Sequence, residues 1–450
     1  MPDYLIRNAT VVNEGSRFKA DVIVRKGLIE AVHRDVHYDS IRDTAGLEII
    51  DATGLVLMPG IIDDQVHFRE PGLTYKAEIS TESRAAVAGG ITSFMEMPNT
   101  IPNTLTRDLL EEKYSRAAEV SMANYSFYMG ASNQNISEIV KTDPINVCGI
   151  KIFMGSSTGN MLVDNQEVLE GIFRDAPCLI TVHCEYEPRV HEMTLHYRKL
   201  YGDDAPPHIH PLVRDAEACY RSSSQAVELA AKHNTRLHVL HLSSAKEMSL
   251  FSNALPLSEK RITAEVCLHH LWFSDEDYKQ KGNFIKWNPS VKSAGDREAI
   301  MEALLDGRID VVATDHAPHT LEEKMRPYFL SPSGGPMVQH LLPAMLSLAH
   351  GGKLSLEMLV DKMCHNPAIC FNVSKRGFIR PGYHADLVLI DPSQEWEVRR
   401  EDVLYKCGWS PLEGEILHGA VTHTFINGNL AYDRGVFDET VRGERLKFDR

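Results

Sequence analysis

One strand-like run that ends in polar side chains carries the clearest chemical signal in this sequence. Residues 59–72 read Pro-Gly-Ile-Ile-Asp-Asp-Gln-Val-His-Phe-Arg-Glu-Pro-Gly. His67 has the imidazole of a metal ligand, and Arg69 lies two residues later, on the same side of an extended chain. A guanidinium suits a carboxylate because it presents a planar fork of donors. Gln65 stands where the second imidazole of a His-x-His pair is expected.

Further polar side chains follow other apolar, strand-like runs in the middle of the chain. The parallel strands of a closed barrel bring their carboxyl ends to one face, so such side chains would converge there. Imidazole and carboxylate groups bind Zn²⁺ at roughly 2 Å, and water on zinc can ionise near neutral pH and attack a carbonyl. A single histidine at a strand end is ordinarily structural, but several in this order indicate a metal site. The candidates are His67, Asn99, Lys151, His183, His241, Asn288, Asp315 and His319.

Lys151 is unusual because it lies within an apolar strand-like run, Gly-Ile-Lys-Ile-Phe, where a free ammonium group is costly to bury. Two explanations remain open from the residues alone. Lys151 could pair with carboxylates. It could instead carry a carbamate formed with CO₂, which would turn a cation into an anion that bridges two metals.

The middle of the chain alternates between two kinds of pattern. Apolar runs such as GIKIFMGSS, CLITVHCE and RLHVLHLSS are separated by helix-like stretches, for example at 80–88, 225–232 and 296–305. About eight such strand–helix units predict an α/β fold, a closed (β/α)8 TIM-like barrel. An open doubly wound sheet is the main rival, but it would normally show a glycine-rich phosphate turn after its first strand, and none is apparent.

Both ends of the chain read as short strands punctuated by glycine. They fall at 4–12, 20–25, 28–32 and 47–51, and again at 385–391, with a hairpin predicted around Asn427-Gly428. Two β-rich ends around a long middle predict a small discontinuous β-sandwich formed by both termini. We place this sandwich at 1–57 and 372–450, and the barrel at 58–371.

Composition narrows the class of protein. A net charge of -15 and a pI of about 5.8 argue against nucleic-acid binding, which needs a basic surface. The eight cysteines form no Cys-x-x-Cys pair, which favours reduced thiols. Neither a signal peptide nor an apolar run long enough to span a membrane is apparent, so we predict a cytoplasmic protein that binds a small-molecule substrate.

Several motifs together resemble one known family. They are VHFREPG (66–72), KIFMGSSTGNM (151–161), VHCE (182–185), LHLSS (240–244), AEVCLHHL (264–271), WNPSVK (287–292) and TDHAPH (314–319). The chain is similar to the cyclic-amide amidohydrolases, and more closely to dihydroorotases of the longer, barrel-plus-sandwich class. The similarity extends over the whole chain, to GYHADLVLID (382–391) and FINGNLAY (425–432).

The resemblance implies a role for each candidate residue. His67, carbamylated Lys151 and Asp315 would hold one metal, and Lys151, His183 and His241 would hold the other. Asp315 would also carry the proton during catalysis. The substrate would be bound by Arg69, Asn99 and His319 at its carboxylate, by Asn288 at its ring, and by the backbone of a closing loop at Ser333 and Gly334.

The activity that the resemblance implies is the zinc-dependent, reversible cyclisation of N-carbamoyl-L-aspartate to dihydroorotate in pyrimidine biosynthesis. Arg69 favours it, because dihydroorotate carries a ring carboxylate that hydantoinase substrates lack. The alternatives are a cyclic amidase of the allantoinase or hydantoinase type, and a non-catalytic dihydroorotase-like scaffold subunit. The predicted assembly is a homodimer, with association with aspartate transcarbamoylase left open.

Gln65 departs from the family pattern, which has histidine at this place. An amide oxygen is a far weaker zinc ligand than an imidazole. The sequence therefore predicts one tightly held zinc and a second, weaker zinc at the site that contains His67.

Overall fold

The computed structural model describes residues 2–34, 46–155 and 161–450. Its first segment is a set of strands that belong to one sheet. These are β1 Asp3–Asn13, β2 Ser16–Arg25, β3 Leu28–Arg34, β4 Leu47–Asp51 and β5 Val56–Pro59. β1 pairs antiparallel with β2 and parallel with both β4 and β5.

A parallel barrel follows. Its strands are β6 Ile61–Val66, β7 Ile91–Glu96, β8 Asn124–Phe127, β9 Met129–Gly130, β10 Ile150–Phe153, β11 Ile180–His183, β12 Leu237–Val239, β13 Ile262–Cys267 and β14 Val311–Ala313. β8 and β9 lie one residue apart and occupy one position, so the described strands fill eight positions. The barrel closes where the segment after β14 forms a parallel bridge from His316 to Val66, and His67 N donates to His316 O at 2.7 Å. The predicted barrel is confirmed.

Helices connect the barrel strands and continue beyond them. Polar side chains begin four of the longer ones, since Thr106, Asn165, Asp215 and Ser293 each accept a hydrogen bond from a backbone N–H of the first turn. No helix in the described ranges is long and apolar enough to cross a membrane. The helices are α1 Ile79–Ala88, α2 Arg107–Val120, α3 Ile136–Ile139, α4 Gln166–Asp175, α5 Glu187–Tyr201, α6 His210–Val213, α7 Ala216–His233, α8 Leu268–Trp272, α9 Tyr278–Lys281, α10 Ala294–Asp306, α11 Leu321–Lys324, α12 Leu341–His350, α13 Leu356–Val360 and α14 Asn366–Phe371.

The chain then returns to the first sheet. β15 Leu387–Glu397, β16 Ile416–Ile426, β17 Asn429–Asp433 and β18 Val436–Phe437 extend it on the far side of β5. β15 pairs antiparallel with β5, with Leu389 opposite Leu57, so the two ends of the chain share one sheet. The hairpin predicted at Asn427-Gly428 joins β16 to β17, and both turn residues have positive φ, at 49° and 76°.

A buried polar hub joins the sheet to the barrel. Arg376 donates to Asp386, to Asn427 Oδ1 at 2.7 Å and to Glu444 Oε2 at 3.1 Å. Asn124, which begins β8 of the barrel, donates to Asp386 Oδ1 and accepts from Asn427 Nδ2. The boundaries at 57/58 and 371/372 stay a prediction; β5 belongs to the sheet, and β6 begins two residues after it in the barrel.

Candidate active site

A single cleft of about 270 Å³ lies at the carboxyl ends of the barrel strands. Its walls come from segments that are far apart in the sequence and that meet because parallel strands end on the same face. Every residue that the sequence singled out as a candidate lines this cleft, although the role of each stays a prediction. They are His67, Arg69, Asn99, Lys151, His183, His241, Asn288, Asp315, His319, Ser333 and Gly334.

Three of these residues have a left-handed backbone. Arg69, His241 and Asp315 have φ values of 68°, 39° and 45°, each shortly after a barrel strand ends. Such a conformation costs free energy in a residue with a side chain, and it persists where the surrounding structure fixes it, commonly at functional sites. The left-handed backbone at each turn therefore places the side chain in the wall of the cleft.

His67 is oriented by one neighbour and faces another. Its Nδ1 lies 2.8 Å from Asn99 Oδ1, which accepts, and its Nε2 lies 3.2 Å from Asp315 Oδ1. Burial lowers the pKa of His67, although Asp315 opposes the shift. A neutral ring with Nδ1–H bound to Asn99 presents the Nε2 lone pair beside a carboxylate, as a metal ligand requires.

His183 and His241 face each other through the nitrogens that could bind a metal. His183 Nδ1 lies 2.9 Å from His241 Nε2, and His183 Nε2 lies 2.9 Å from Glu185 Oε2. Glu185 also accepts from Arg214, and although its burial opposes this, Arg214 and then His183 hold the pKa of Glu185 well below its usual range. An ionised Glu185 fixes Nε2–H on His183 and leaves Nδ1 free for a metal.

Lys151 is buried among groups of mixed charge. Its Nζ lies 4.7 Å from the centroid of the Phe153 ring. Burial lowers the pKa of Lys151 to about 8, although Glu265 and Asp315 oppose the shift. A substantial neutral fraction near pH 8 makes this amine more nucleophilic than an exposed lysine.

Arg69 is buried beside two other basic groups. Lys76 Nζ lies 2.9 Å from His319 Nδ1, and since Lys76 is a donor, Nδ1 accepts and Nε2–H donates to Ser333 O at 3.0 Å. Arg69 Nε donates to Pro318 O, and its Nη2 lies 3.2 Å from His319 Nε2. With Nε2 already a donor, the Nη2 hydrogens of Arg69 remain available to an anion in the cleft.

Neither carboxylate near Arg69 in sequence pairs with it. Glu70 accepts from Arg116 Nε at 2.7 Å, and Asp63 Oδ2 lies 2.6 Å from Thr314 Oγ1. Within the described ranges Arg69 forms no ion pair, and burial lowers its pKa to about 10. A structural salt bridge therefore does not explain why this guanidinium is buried.

On the opposite wall of the cleft, Asn288 has a free acceptor, but the backbone of Gly334 already forms hydrogen bonds within the described protein. Asn288 Oδ1 is buried and has no hydrogen-bond partner among the described residues, as suits an acceptor for a ring N–H. Gly334 N donates to Lys286 O, and Gly334 O accepts from Lys324 Nζ. The N–H of Gly334 is therefore already used within the protein, whereas its carbonyl oxygen keeps a second lone pair for a substrate.

Sequence reasoning missed some residues of the site. Lys76 lies in the loop after Pro71-Gly72, outside any strand pattern, and Glu185 was noted without a role. Phe153 and Trp287 also line the cleft. They lie within the quoted motifs KIFMGSS and WNPSVK, which was the only available signal.

Comparison with known proteins identifies the family. Residues 54–159 match a model described as dihydro-orotase-like, and residues 215–431 match the amidohydrolase family. A dihydroorotase from Methanosarcina acetivorans is 32% identical and is aligned over 92% of this chain and 89% of its own. One from Bacillus subtilis is 33% identical, with 96% and 99% covered. The chain belongs to the dihydroorotase family. The predicted hydrolase of cyclic amides is confirmed at this level.

Solved structures of cyclic amidases share the fold of this dihydroorotase-family chain. An L-hydantoinase (dihydropyrimidinase) from Arthrobacter aurescens superposes with a TM-score of 0.91 at 27% identity, covering 97% of each chain. A dihydropyrimidinase from Brevibacillus agri superposes with a TM-score of 0.87 at 24% identity, covering 100% of each chain. Together with the strand topology, they confirm the predicted barrel with a small β-sandwich domain formed by both termini, whose described strands hydrogen-bond as one nine-stranded sheet.

Gln65 has an unusual setting for a dihydroorotase-family chain. It lines the cleft, and its Oε1 lies 3.6 Å from Cys267 Sγ at the end of β13. Cys267 Sγ in turn lies 3.4 Å from Glu265 Oε1. The amide of Gln65, which lines the cleft, is thus backed by a buried thiol that does not reach the cleft.

Proposed function

We propose that this protein is a dihydroorotase, which interconverts N-carbamoyl-L-aspartate and dihydroorotate in pyrimidine biosynthesis. Its family membership supports the reaction class. The observation that carries the substrate assignment is Arg69, a buried guanidinium that lines the cleft and pairs with no carboxylate among the described residues. Dihydroorotate has a carboxylate that this group can bind, and Lys76 and His319 lie beside it.

The donor set of the cleft fits zinc. His67 and Asp315 would hold one ion and His183 and His241 the other, with Lys151 between them. Burial keeps the three imidazoles in the neutral form that binds metals, because it lowers the pKa of each. When bound, zinc would polarise the amide carbonyl and lower the pKa of water.

Lys151 would bridge the metals as a carbamate. Carbamate formation needs a neutral amine, and a pKa lowered to about 8 by burial supports this role. Native mass spectrometry of the metal-loaded protein should detect the added CO₂. Lys151→Ala should lose metal and activity, and short carboxylic acids should restore part of both. A bare ammonium at Lys151 beside two full zinc sites would contradict the proposal, because a cation cannot bridge two cations.

The other side chains of the cleft would transfer the proton and bind the substrate. Asp315, positioned by its contact with His67, would take a proton from the attacking water and return it to the leaving ring nitrogen. Asn288 Oδ1 would accept from the ring, and Arg69 would hold the carboxylate. Asn99, which accepts from His67 Nδ1, would orient that ring and use its amide hydrogens for the substrate.

A hydantoinase is the second candidate, because the L-hydantoinase from Arthrobacter aurescens has a TM-score of 0.91 with this chain. The two activities differ in their substrates, because dihydroorotate carries a ring carboxylate and hydantoin does not. A charge-assisted bond to an anion is worth about 1.5–3 kcal/mol. We therefore expect Arg69→Ala to lower kcat/KM for dihydroorotate tenfold or more, and to affect hydantoin and allantoin far less.

Arg116→Ala is the matched control for this experiment, because Arg116 is partly exposed, pairs with Glu70 and does not line the cleft. It should leave all three activities near the wild-type values. Equal losses on all substrates in Arg69→Ala would favour the hydantoinase. Metal-loaded protein without turnover of any of the three substrates would favour the non-catalytic scaffold.

We further propose that the protein is a cytoplasmic homodimer that associates with aspartate transcarbamoylase. Its eight cysteines all lie in described residues and form no disulfide, which supports a reducing compartment. Sedimentation of the protein alone and with that enzyme tests both associations.

A further inference from the structure

Three ionisable side chains face one another below the cleft. They are Asp64 on β6, His238 on β12 and Glu265 on β13, and none is exposed to solvent. One oxygen of each carboxylate and one ring nitrogen lie within 4.8 Å of one another. β12 and β13 are adjacent in the barrel, and β6 follows β13 with β14 between them. Their inward side chains thus bring two acids and an imidazole to one point, apart from the residues assigned to the cleft.

The hydrogen bonds of His238 set which nitrogen faces the acids. Its Nδ1 lies 2.7 Å from Thr263 Oγ1, whose own hydroxyl donates to Leu237 O at 3.3 Å. Because that hydrogen is already used, Nδ1 donates to Thr263. In a neutral ring Nε2 then carries a lone pair, and it is directed toward Asp64 and Glu265.

The distances between these groups fit a shared ion. His238 Nε2 lies 3.2 Å from Asp64 Oδ2 and 3.7 Å from Glu265 Oε2. Ligand atoms about 2.1 Å from a tetrahedral zinc lie about 3.4 Å apart, between these two values. Both oxygens of Asp64, Nε2 of His238 and Oε2 of Glu265 are buried with no hydrogen-bond partner in the described structure.

We propose that Asp64, His238 and Glu265 bind a divalent metal ion, with zinc the best match, at a site separate from the cleft. Two carboxylates and a neutral imidazole offset the charge of such an ion, and their unpaired lone pairs become ligands. Imidazole with two carboxylates suits zinc better than magnesium or calcium, which prefer oxygen ligands alone. Water or a second carboxylate oxygen would complete the coordination.

The ion would have a structural role, because it would link β6, β12 and β13 below the cleft. Glu265 Oε1 accepts from His241 N at 2.9 Å, so the residue that would hold the ion also fixes the backbone of a cleft histidine. Cys267 and Gln65 lie between the two levels. Full burial predicts slow exchange, in contrast to an ion in the open cleft.

The rival arrangement holds protons in place of the metal. Burial disfavours a charged His238, but Asp64 and Glu265 outweigh it and raise the pKa of His238 to about 9. Burial, followed by the charge of Asp64, raises the pKa of Glu265. A protonated His238 beside one ionised and one neutral acid would then satisfy the site without an ion.

Anomalous diffraction at the zinc edge distinguishes the two arrangements. Crystals of wild-type protein loaded with zinc should show a peak between the three side chains, in addition to density in the cleft. Cleft peaks without this lower peak would establish the proton arrangement and overturn the proposal. That result would leave the proposed dihydroorotase activity untouched, since the cleft metals and turnover are separate readouts.

Variants provide a second, independent readout. Asp64→Asn should lose about one equivalent of zinc per chain and the lower peak, while the cleft peaks remain. Lys151→Ala should show the reverse, with the lower peak kept. If Asp64→Asn does not fold, Glu265→Gln and the wild-type crystal decide the question. A lower peak unchanged in Asp64→Asn would overturn the assigned ligand set.

Discussion

Glu185 sets the tautomer of His183 without lining the cleft itself. Replacing a carboxylate that orients a metal-bound histidine typically costs 10–100-fold in metal affinity. We expect Glu185→Gln to weaken zinc binding at the His183–His241 site by about that factor. Glutamine is nearly isosteric with glutamate, but it removes the charge that Arg214 contacts, so thermal unfolding of the variant is measured beside its zinc affinity.

Glu247→Gln is the control for this change. Glu247 is buried and accepts from Ser223 and Ser244, away from the cleft. Zinc titration of the two apo-proteins should separate them. Equal affinity in Glu185→Gln and the wild type would show that His183 needs no carboxylate partner, or that it binds no metal.

Substitution of Gln65 tests the zinc affinity of the other proposed metal site. The site with His67 and Asp315 has glutamine where the resemblance led us to expect an imidazole, so it should release zinc more readily than the His183–His241 site. Gln65→His should raise its affinity, because imidazole is the better ligand. Two equally tight sites in the wild type, unchanged by the substitution, would place Gln65 outside the metal coordination.

Single residues were predictable where a motif placed them at a strand end. Arg69 was found because it follows His67 by two residues, although the extended chain that was expected there ends at Val66 and Arg69 itself has a left-handed backbone. Lys76, which contacts His319 across 243 residues of chain, could not be found in this way. The Asp64–His238–Glu265 cluster was missed because it depends on the relative positions of three strands that the sequence does not give.

At the level of elements, the hairpin between β16 and β17 carries a specific constraint. Gly428 has φ of 76°, and a Cβ there would lie 2.6 Å from Gly27 Cα. Gly435, with φ of 94°, has no atom within 4 Å of the same position. Alanine at either glycine costs roughly 1 kcal/mol for the left-handed backbone, but at Gly428 the neighbouring turn must also move.

We therefore expect Gly428→Ala to lower the free energy of unfolding clearly more than Gly435→Ala. Urea denaturation of the two variants and the wild type measures the difference. Equal losses in the free energy of unfolding would mean that the turn at Gly27 can move to accept the new methyl group without destabilising the protein.

The sequence predicted the presence and type of most helices and strands, but it predicted the residues at which they end less well. The strand predicted at 4–12 is β1 Asp3–Asn13, and the helix predicted at 80–88 is α1 Ile79–Ala88. The strand predicted to end at 391 continues as β15 to Glu397, past Pro392. Its pairing with β16 shifts register between Asp391 and Glu395, and a shift of this kind depends on the partner strand.

For the whole molecule, the Arg376 hub connects the barrel, the sheet and the C-terminal segment. Removing one partner from a buried ion pair typically costs about 3–5 kcal/mol, because the remaining charge is left uncompensated. We expect Arg376→Ala to destabilise the protein by this amount through Asp386. Arg380→Ala, which breaks an exposed pair with Glu14, should cost about 0–1 kcal/mol.

Unfolding should also stay cooperative in the Arg380 variant and become biphasic in Arg376→Ala if the hub couples barrel and sheet. Differential scanning calorimetry reports both effects. Similar stabilities for the two variants would show that the barrel and sheet are held together mainly by apolar packing. The sequence predicted both parts of the fold but not this hub, whose members range from Asn124 to Glu444.

The pairing of β5 with β15 has a consequence for the growing chain on the ribosome. About 330 residues separate the two strands, which is roughly 16–66 s of synthesis at about 5–20 residues per second. Throughout that interval β5 is a sheet edge with unsatisfied backbone groups, and such edges invite pairing with other chains. The barrel strands are all synthesised before β15, so β5 stays open to pairing with other chains until β15 reaches it.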